Sequence, residues 1–238
     1  MYPPTPLFKK GDCDMYDPIK FFDEMNLLRS EKEERLKLSR KIKDKVAEFF
    51  ARQLIDILLG SFLHAIMSQE YRDELLDLYV AMVGEALEDI TTDREVIAKA
   101  ERFANYIEET TEKAYLNASG NGRFELSRQQ GVKMFEEDLP DVIKRVLSEE
   151  RALEIALNET NWIYNYITHQ NLVASGQLTH TWSTQKDEKV RLSHIAVDDV
   201  TLPINRPFIV GGYEMMFPLD DSRGAPVSEI INCRCVEI

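Results

Sequence analysis

The chain has 238 residues, 44% of them apolar and 30% charged, enough to bury a core in one or two domains and typical of a soluble globular protein. Its formal net charge of -13 argues against a general nucleic-acid coat, because phosphate neutralisation needs clustered Lys and Arg. No apolar run reaches the roughly 18 residues of a membrane helix, and Met1-Tyr2-Pro3-Pro4 lacks the basic start and apolar core of a signal peptide. A cytoplasm-like compartment without membrane contact is therefore expected.

Residues 1–16 contain several prolines and little periodicity, and are expected to form an extended arm. Asp17-Pro18 is a helix start: the carboxylate can accept an orphan backbone N–H, and proline at the first helical position lacks only a donor that would go unused. Phe21, Phe22, Met25 and Leu28 then share one face. Ser30 and Glu33 have the spacing of a capping box and predict a second helix. Its highly charged first half (31–45) predicts a projecting, solvated end, and Val46, Phe49, Phe50, Leu54, Ile57 and Leu58 predict a buried one.

Gly60-Ser61 is expected to interrupt that helix. The next helix is expected over about 68–90, with Leu75, Leu78, Tyr79, Met82 and Leu87 inward. Another follows the Thr92–Glu95 capping box to about residue 117, with Val96, Ala100, Phe103, Ile107 and Tyr115 as its buried face. Residues 117–122 read as a loop, and two short helices are expected over about 127–138 and 140–147. Ser148 can cap a long helix that reaches about Ser175 and stops at Gly176.

After Gly176 the pattern changes to short strands punctuated by Gly, Pro, Asp and Asn: Leu178–Thr184, Phe208–Met216 and a closing strand over Glu229–Glu237. The predicted class is α+β, a mainly helical N-terminal body followed by a small irregular α+β domain. The expected organisation is an arm (1–16), a helical body (17–147) and a C-terminal domain (148–238), itself a linking helix (148–175) and a strand-rich unit (176–238).

The C-terminal region concentrates the residues that could carry chemistry. On a strand, Cys233 and Cys235 point the same way, so both sulfurs could meet the His194 imidazole. Three such donors are one short of a closed zinc site, with Asp199 or Asp220 as a candidate fourth. The alternatives are two buried thiols used for packing, or a redox pair, which a reducing compartment and the tight Cys-x-Cys ring disfavour. His194 could instead serve a Cys233 nucleophile as base, or satisfy a turn through a backbone bond. Asp187, Arg191 and Asp220 suggest a polar network built on a bidentate arginine, or a surface ion pair. Trp182 is the expected aromatic anchor, with its indole N–H bonded. Glu159 could be an acid catalyst, but a hydrogen bond from helix to domain is the simpler expectation. Phosphate loops, serine elbows, His-Glu-x-x-His and calcium loops are absent from the sequence.

Taken in order, Trp182-Ser-Thr, Asp187-x-x-Val-Arg191-x-x-His194, Gly211-Gly212, Pro218-x-Asp220 and Asn232-Cys-Arg234-Cys resemble the C-terminal domain of the phage head morphogenesis family, the Mu F-like minor head proteins. The likeness covers roughly residues 150–236. The family's Arg-Thr-Glu run appears here as Leu157-Asn158-Glu159, and its frequent Asp-Gly as Asp198-Asp199. The resemblance implies a non-catalytic minor capsid component that binds portal and procapsid proteins, with packaged DNA as a further contact. It implies a place in the virion head or portal region, reached from the host cytoplasm, and no obligatory cofactor. Glu159, Trp182, Asp187, Arg191, His194, Asp220, Asn232 and Arg234 are its motif residues here. The alternative from another class is a Cys/His hydrolase or a zinc-dependent nuclease of phage origin.

Overall fold

A computed structural model describes residues 17–25, 27–59, 68–87, 91–118, 130 and 133–238. The expected arm, the Gly60-Ser61 interruption and most of the 117–122 loop lie outside those residues. About 61% of the described residues are helical, with a small sheet region at the C-terminus, so the α+β class is as the sequence predicts. The chain divides into two compact units, one of residues 41–153 and one combining residues 1–40 with 154–238. The segment 17–40, expected to belong with the helical body, thus groups with the C-terminal residues. Both boundaries fall inside long helices.

In the unit of residues 41–153, the second half of α2 (Arg29–Leu58), α3 (Gln69–Gly84), α4 (Arg94–Ala118) and α5 (Asp141–Val146) carry the core. Phe49 and Tyr71 pack at a tilt with ring centroids 5.5 Å apart, and Tyr79 lies 5.1 Å from Phe103. All five residues expected on the buried face of α4 are buried. Three expectations fail locally. Leu87 is exposed because α3 stops at Gly84. Within the described part of the expected 127–138 helix, only a 3-10 turn over Glu136–Asp138 forms. Helix α4 is capped by Asp93, whose Oδ1 accepts the Glu95 N–H at 2.7 Å, rather than by Thr92.

The other unit starts with α1 (Pro18–Asp23), capped by Asp17 as its sequence predicts. Phe21, Phe22 and Met25 are buried, and Leu28 is exposed. Helix α2 begins one residue before the expected capping box: Glu31 reaches back to the Leu28 N–H at 2.9 Å, the carboxylate half of such a box. Its charged first half is not simply solvated. Arg35 is buried, lies 4.4 Å over the Tyr164 ring and donates to Asn161 Oδ1. Burial lowers its pKa to about 10, which leaves the guanidinium charged at neutral pH. An aromatic face and an amide oxygen compensate that buried charge.

Helix α6 (Glu149–Ala174) is the backbone of this unit, and Ser148 Oγ accepts the Arg151 N–H as expected. It ends at Gly176, whose φ of +73° suits a glycine stop. Trp162 stacks on Tyr166 at 5.1 Å, and Phe217 meets both edge-on. Strand β1 (Thr179–Ser183) is central in a three-stranded sheet, antiparallel to β2 (Thr201–Pro203) on one side and to β5 (Val236–Glu237) on the other. The stretch 208–216, expected as one strand, is a hairpin: β3 (Phe208–Val210) and β4 (Tyr213–Met215) turn at Gly211-Gly212, both with positive φ. The expected closing strand is mostly irregular. Short helix α8 (Val227–Ile230) is followed by Asn232 at φ +54°, and only Val236–Glu237 pair as a strand.

Candidate functional site

Residues 232–237 are held against α6 by three asparagines spaced along one helix face. Asn158 Oδ1 accepts the Asn232 N–H at 2.6 Å. Asn161 Nδ2 donates to the carbonyls of Cys233 and Cys235, at 2.8 and 3.3 Å. Asn165 donates to the Cys235 carbonyl and accepts the Glu237 N–H, at 3.2 and 2.9 Å. The amides thus do for the last segment what a neighbouring strand would do, since each buried peptide group needs a partner. Glu159 is half-buried on the same helix. The asparagines on either side of it make the helix-to-domain bonds described above.

The Cys233 and Cys235 side chains converge on His194, carried by the short helix α7 (Leu192–Ile195). His194 Nδ1 lies 3.4 Å from Cys235 Sγ and 3.6 Å from Cys233 Sγ. All three residues are at most 3% exposed, so the expected convergence forms inside the protein. Behind the imidazole, Glu229 Oε2 lies 3.2 Å from His194 Nε2, within ion-pair distance though without hydrogen-bond geometry. Glu229 is fixed by the Ser193 hydroxyl, which donates to it at 2.7 Å, and its carboxylate rests on Gly211, where a Cβ would come within 2.7 Å of Oε1. Gly211, Glu229, His194 and the two cysteines are therefore one connected structure.

Charge in this group is uneven. The Cys235 thiol donating to Cys233 holds the Cys233 pKa well below the ordinary thiol range, against burial and with help from His194. The same neighbour and burial push Cys235 up. Burial pushes His194 down, but the Cys233 sulfur raises it on balance. Of the two thiols, Cys233 is thus the one whose ionised form its neighbours favour.

Trp182, fully buried, meets His194 edge-on at 5.6 Å and Phe208 at 5.4 Å, the anchor position its sequence predicts. Its indole nitrogen makes no hydrogen bond of ordinary geometry, contrary to expectation; the group it acts on is the Cys235 sulfur. A small recess lined by Gln185, Lys189, Arg191, Asn232 and Arg234 opens beside the sulfurs and His194.

The expected network of Asp187, Arg191 and Asp220 does not form. Arg191 donates to the Ile231 carbonyl. Asp220 is buried within its own turn and accepts the Met216 and Ser222 N–H groups at 2.8 and 2.9 Å. Asp187 instead receives Arg234 bidentately, at 2.8 and 2.7 Å, and Arg234 also binds Glu24 at 3.0 Å. The Arg234 bond holds the Asp187 pKa below the usual carboxylate range. Asp199 pairs with Lys186, and neither Asp199 nor Asp220 joins the cluster of His194, Cys233 and Cys235 as the fourth donor considered above. Asp199 also has φ +58°, the left-handed conformation that glycine takes easily.

A second buried group was not foreseen. Glu237 Oε1 lies 2.9 Å from His169 Nδ1 and 2.6 Å from His180 Nδ1, and His180 Nε2 donates to the Arg206 carbonyl at 2.9 Å. That carbonyl can only accept, so the His180 proton on this side is carried by Nε2. Nothing in the chain marks it, because the three residues are distant in sequence and lie in different elements. The asparagines did leave a trace: three poor helix formers at spacings of three and four inside a helix imply partners for their amides.

Compared with models of protein families, with curated proteins and with solved structures, the chain matches none.

Proposed function

We propose that the protein is a minor head component of a tailed phage or prophage that acts by binding portal and procapsid proteins during head morphogenesis, without catalysis of its own. One observation carries the reading: the residues of the C-terminal motif series are used to hold their own unit together. Trp182 packs against the His194 ring, Arg234 clamps Asp187 and Glu24, Asp220 closes a turn, Arg191 ties down a carbonyl, and Asn232 is hung from α6. A hydrolase needs its nucleophile at an open cleft, whereas Cys233 and Cys235 are 2% and 3% exposed. Residues shared with a head protein family and spent on rigidity suit a module that docks as a body, with the acidic helical unit offering the rest of its surface.

The test is deletion of the gene in its phage, with mass spectrometry of purified heads. Detection of the protein in heads, its recovery with the portal protein from lysates, and loss of filled heads on deletion are expected. Normal, filled heads that never contain the protein would overturn the reading.

A further inference from the structure

We propose that Cys233 Sγ, Cys235 Sγ and His194 Nδ1 bind a single zinc ion, with Glu229 orienting the imidazole and the fourth position left to solvent. This site stands independently of the head-assembly reading.

The distances fit metal ligation. Zinc–sulfur and zinc–nitrogen bonds of about 2.3 and 2.05 Å in a tetrahedron place sulfur and nitrogen about 3.5 Å apart. The two sulfur–nitrogen distances here are 3.4 and 3.6 Å, so each sulfur already has the spacing from Nδ1 that two ligands of one ion need. The trio of His169, His180 and Glu237 is a control within the same molecule. Its donors are 2.6 and 2.9 Å apart, well under the edge of about 3.3 Å that nitrogen and oxygen ligands need, and it is a hydrogen-bonded group. Both trios are buried and tightly clustered, but only the cysteine trio has donor pairs at ligand spacing.

Donor chemistry agrees. Two thiolates and an imidazole select zinc over magnesium or calcium, which take oxygen ligands. Metal-bound histidines generally present their second nitrogen to a carboxylate or carbonyl, which fixes the tautomer and leaves the first nitrogen's lone pair for the ion. Glu229 Oε2 stands beside Nε2 at the ion-pair distance of 3.2 Å, and Ser193 and Gly211 hold it there, a small rotation away from that bond. The site is also preorganised, because Asn161 binds the carbonyls of both cysteines. The recess that all three ligands line offers neither thiol nor carboxylate for the fourth position, which therefore falls to water.

The experiment is elemental analysis of the full chain purified under reducing conditions, followed by chelator treatment and cobalt(II) titration. One zinc per chain is expected, and the cobalt form should show a thiolate charge-transfer band with intense tetrahedral d–d bands. Cys233→Ser and Cys235→Ser should each abolish these bands. Glu229→Gln should weaken zinc binding about 10- to 100-fold with an unchanged far-ultraviolet dichroism spectrum. Should a cysteine variant fail to fold, the wild-type cobalt spectrum still decides, since thiolate ligation is read from it directly. Absence of zinc and of cobalt uptake by reduced, folded protein would overturn the site, as would full cobalt bands in either cysteine variant. Unchanged affinity in Glu229→Gln would overturn the role of the carboxylate.

Discussion

Gly211 and Gly212 separate two reasons for having glycine at a position. Both have positive φ, at 59° and 89°, but a Cβ on Gly212 would meet nothing within 4 Å, while one on Gly211 would press into the Glu229 carboxylate. Gly212→Ala is expected to cost about 1 kcal/mol, the price of the backbone conformation alone. Gly211→Ala should cost at least about 2 kcal/mol, because Glu229 can move aside only by leaving Ser193 and His194. Chemical denaturation of the two variants measures the difference, and the His194 imidazole NMR signals should shift only in Gly211→Ala. Equal effects would show that Glu229 is not held. Gly-Gly between two apolar runs is a hairpin signal that the reading of 208–216 as one strand passes over, and no local pattern links Gly211 to a glutamate 18 residues on.

At the scale of elements, helix α6 and the segment it binds show how far a sequence can be read. The helix itself, its Ser148 cap and its glycine stop follow from periodicity and end signals that lie within a few residues of each other. Its asparagines could have been read as a request for partners, yet the partners lie about 70 residues away. The closing segment was harder, because alternation of Cys and polar residues looks like a strand while Asn232 at positive φ breaks it. The sulfurs nevertheless meet His194, so the site was legible in its donors and not in its support. Asn161 makes the most bonds across this junction, and Asn161→Ala would leave Arg35 and two buried carbonyls short of partners. A loss of about 2 to 4 kcal/mol is expected by urea titration. Asn158→Ala, which frees a single half-buried N–H, should cost less than half as much.

For the molecule as a whole, its 42 acidic residues make low pH the informative condition. Asp187 has a depressed pKa in the folded state, so the stability it contributes is present above its unfolded value of about 3.9 and is lost as pH falls through the lower folded value. The wild type should lose thermal stability below about pH 4. Asp187→Asn should start lower at neutral pH and fall less steeply there, and parallel profiles for the two proteins would contradict the assignment. Helical class and the change of character after Gly176 were readable across the chain, because both rest on composition and local period. The grouping of residues 17–40 with the C-terminal half was not, since it depends on single side chains such as Glu24 and Arg35 finding distant partners.

The Glu24–Arg234 pair closes 210 residues of chain. During synthesis at about 5 to 20 residues per second, α1 must wait roughly 10 to 40 s for the residue that completes its surroundings. The contiguous unit of residues 41–153 is under no such delay. Nascent chains arrested after residue 200 should therefore already protect 41–153 from protease while 17–40 is still cut, and only release of the complete chain should protect both.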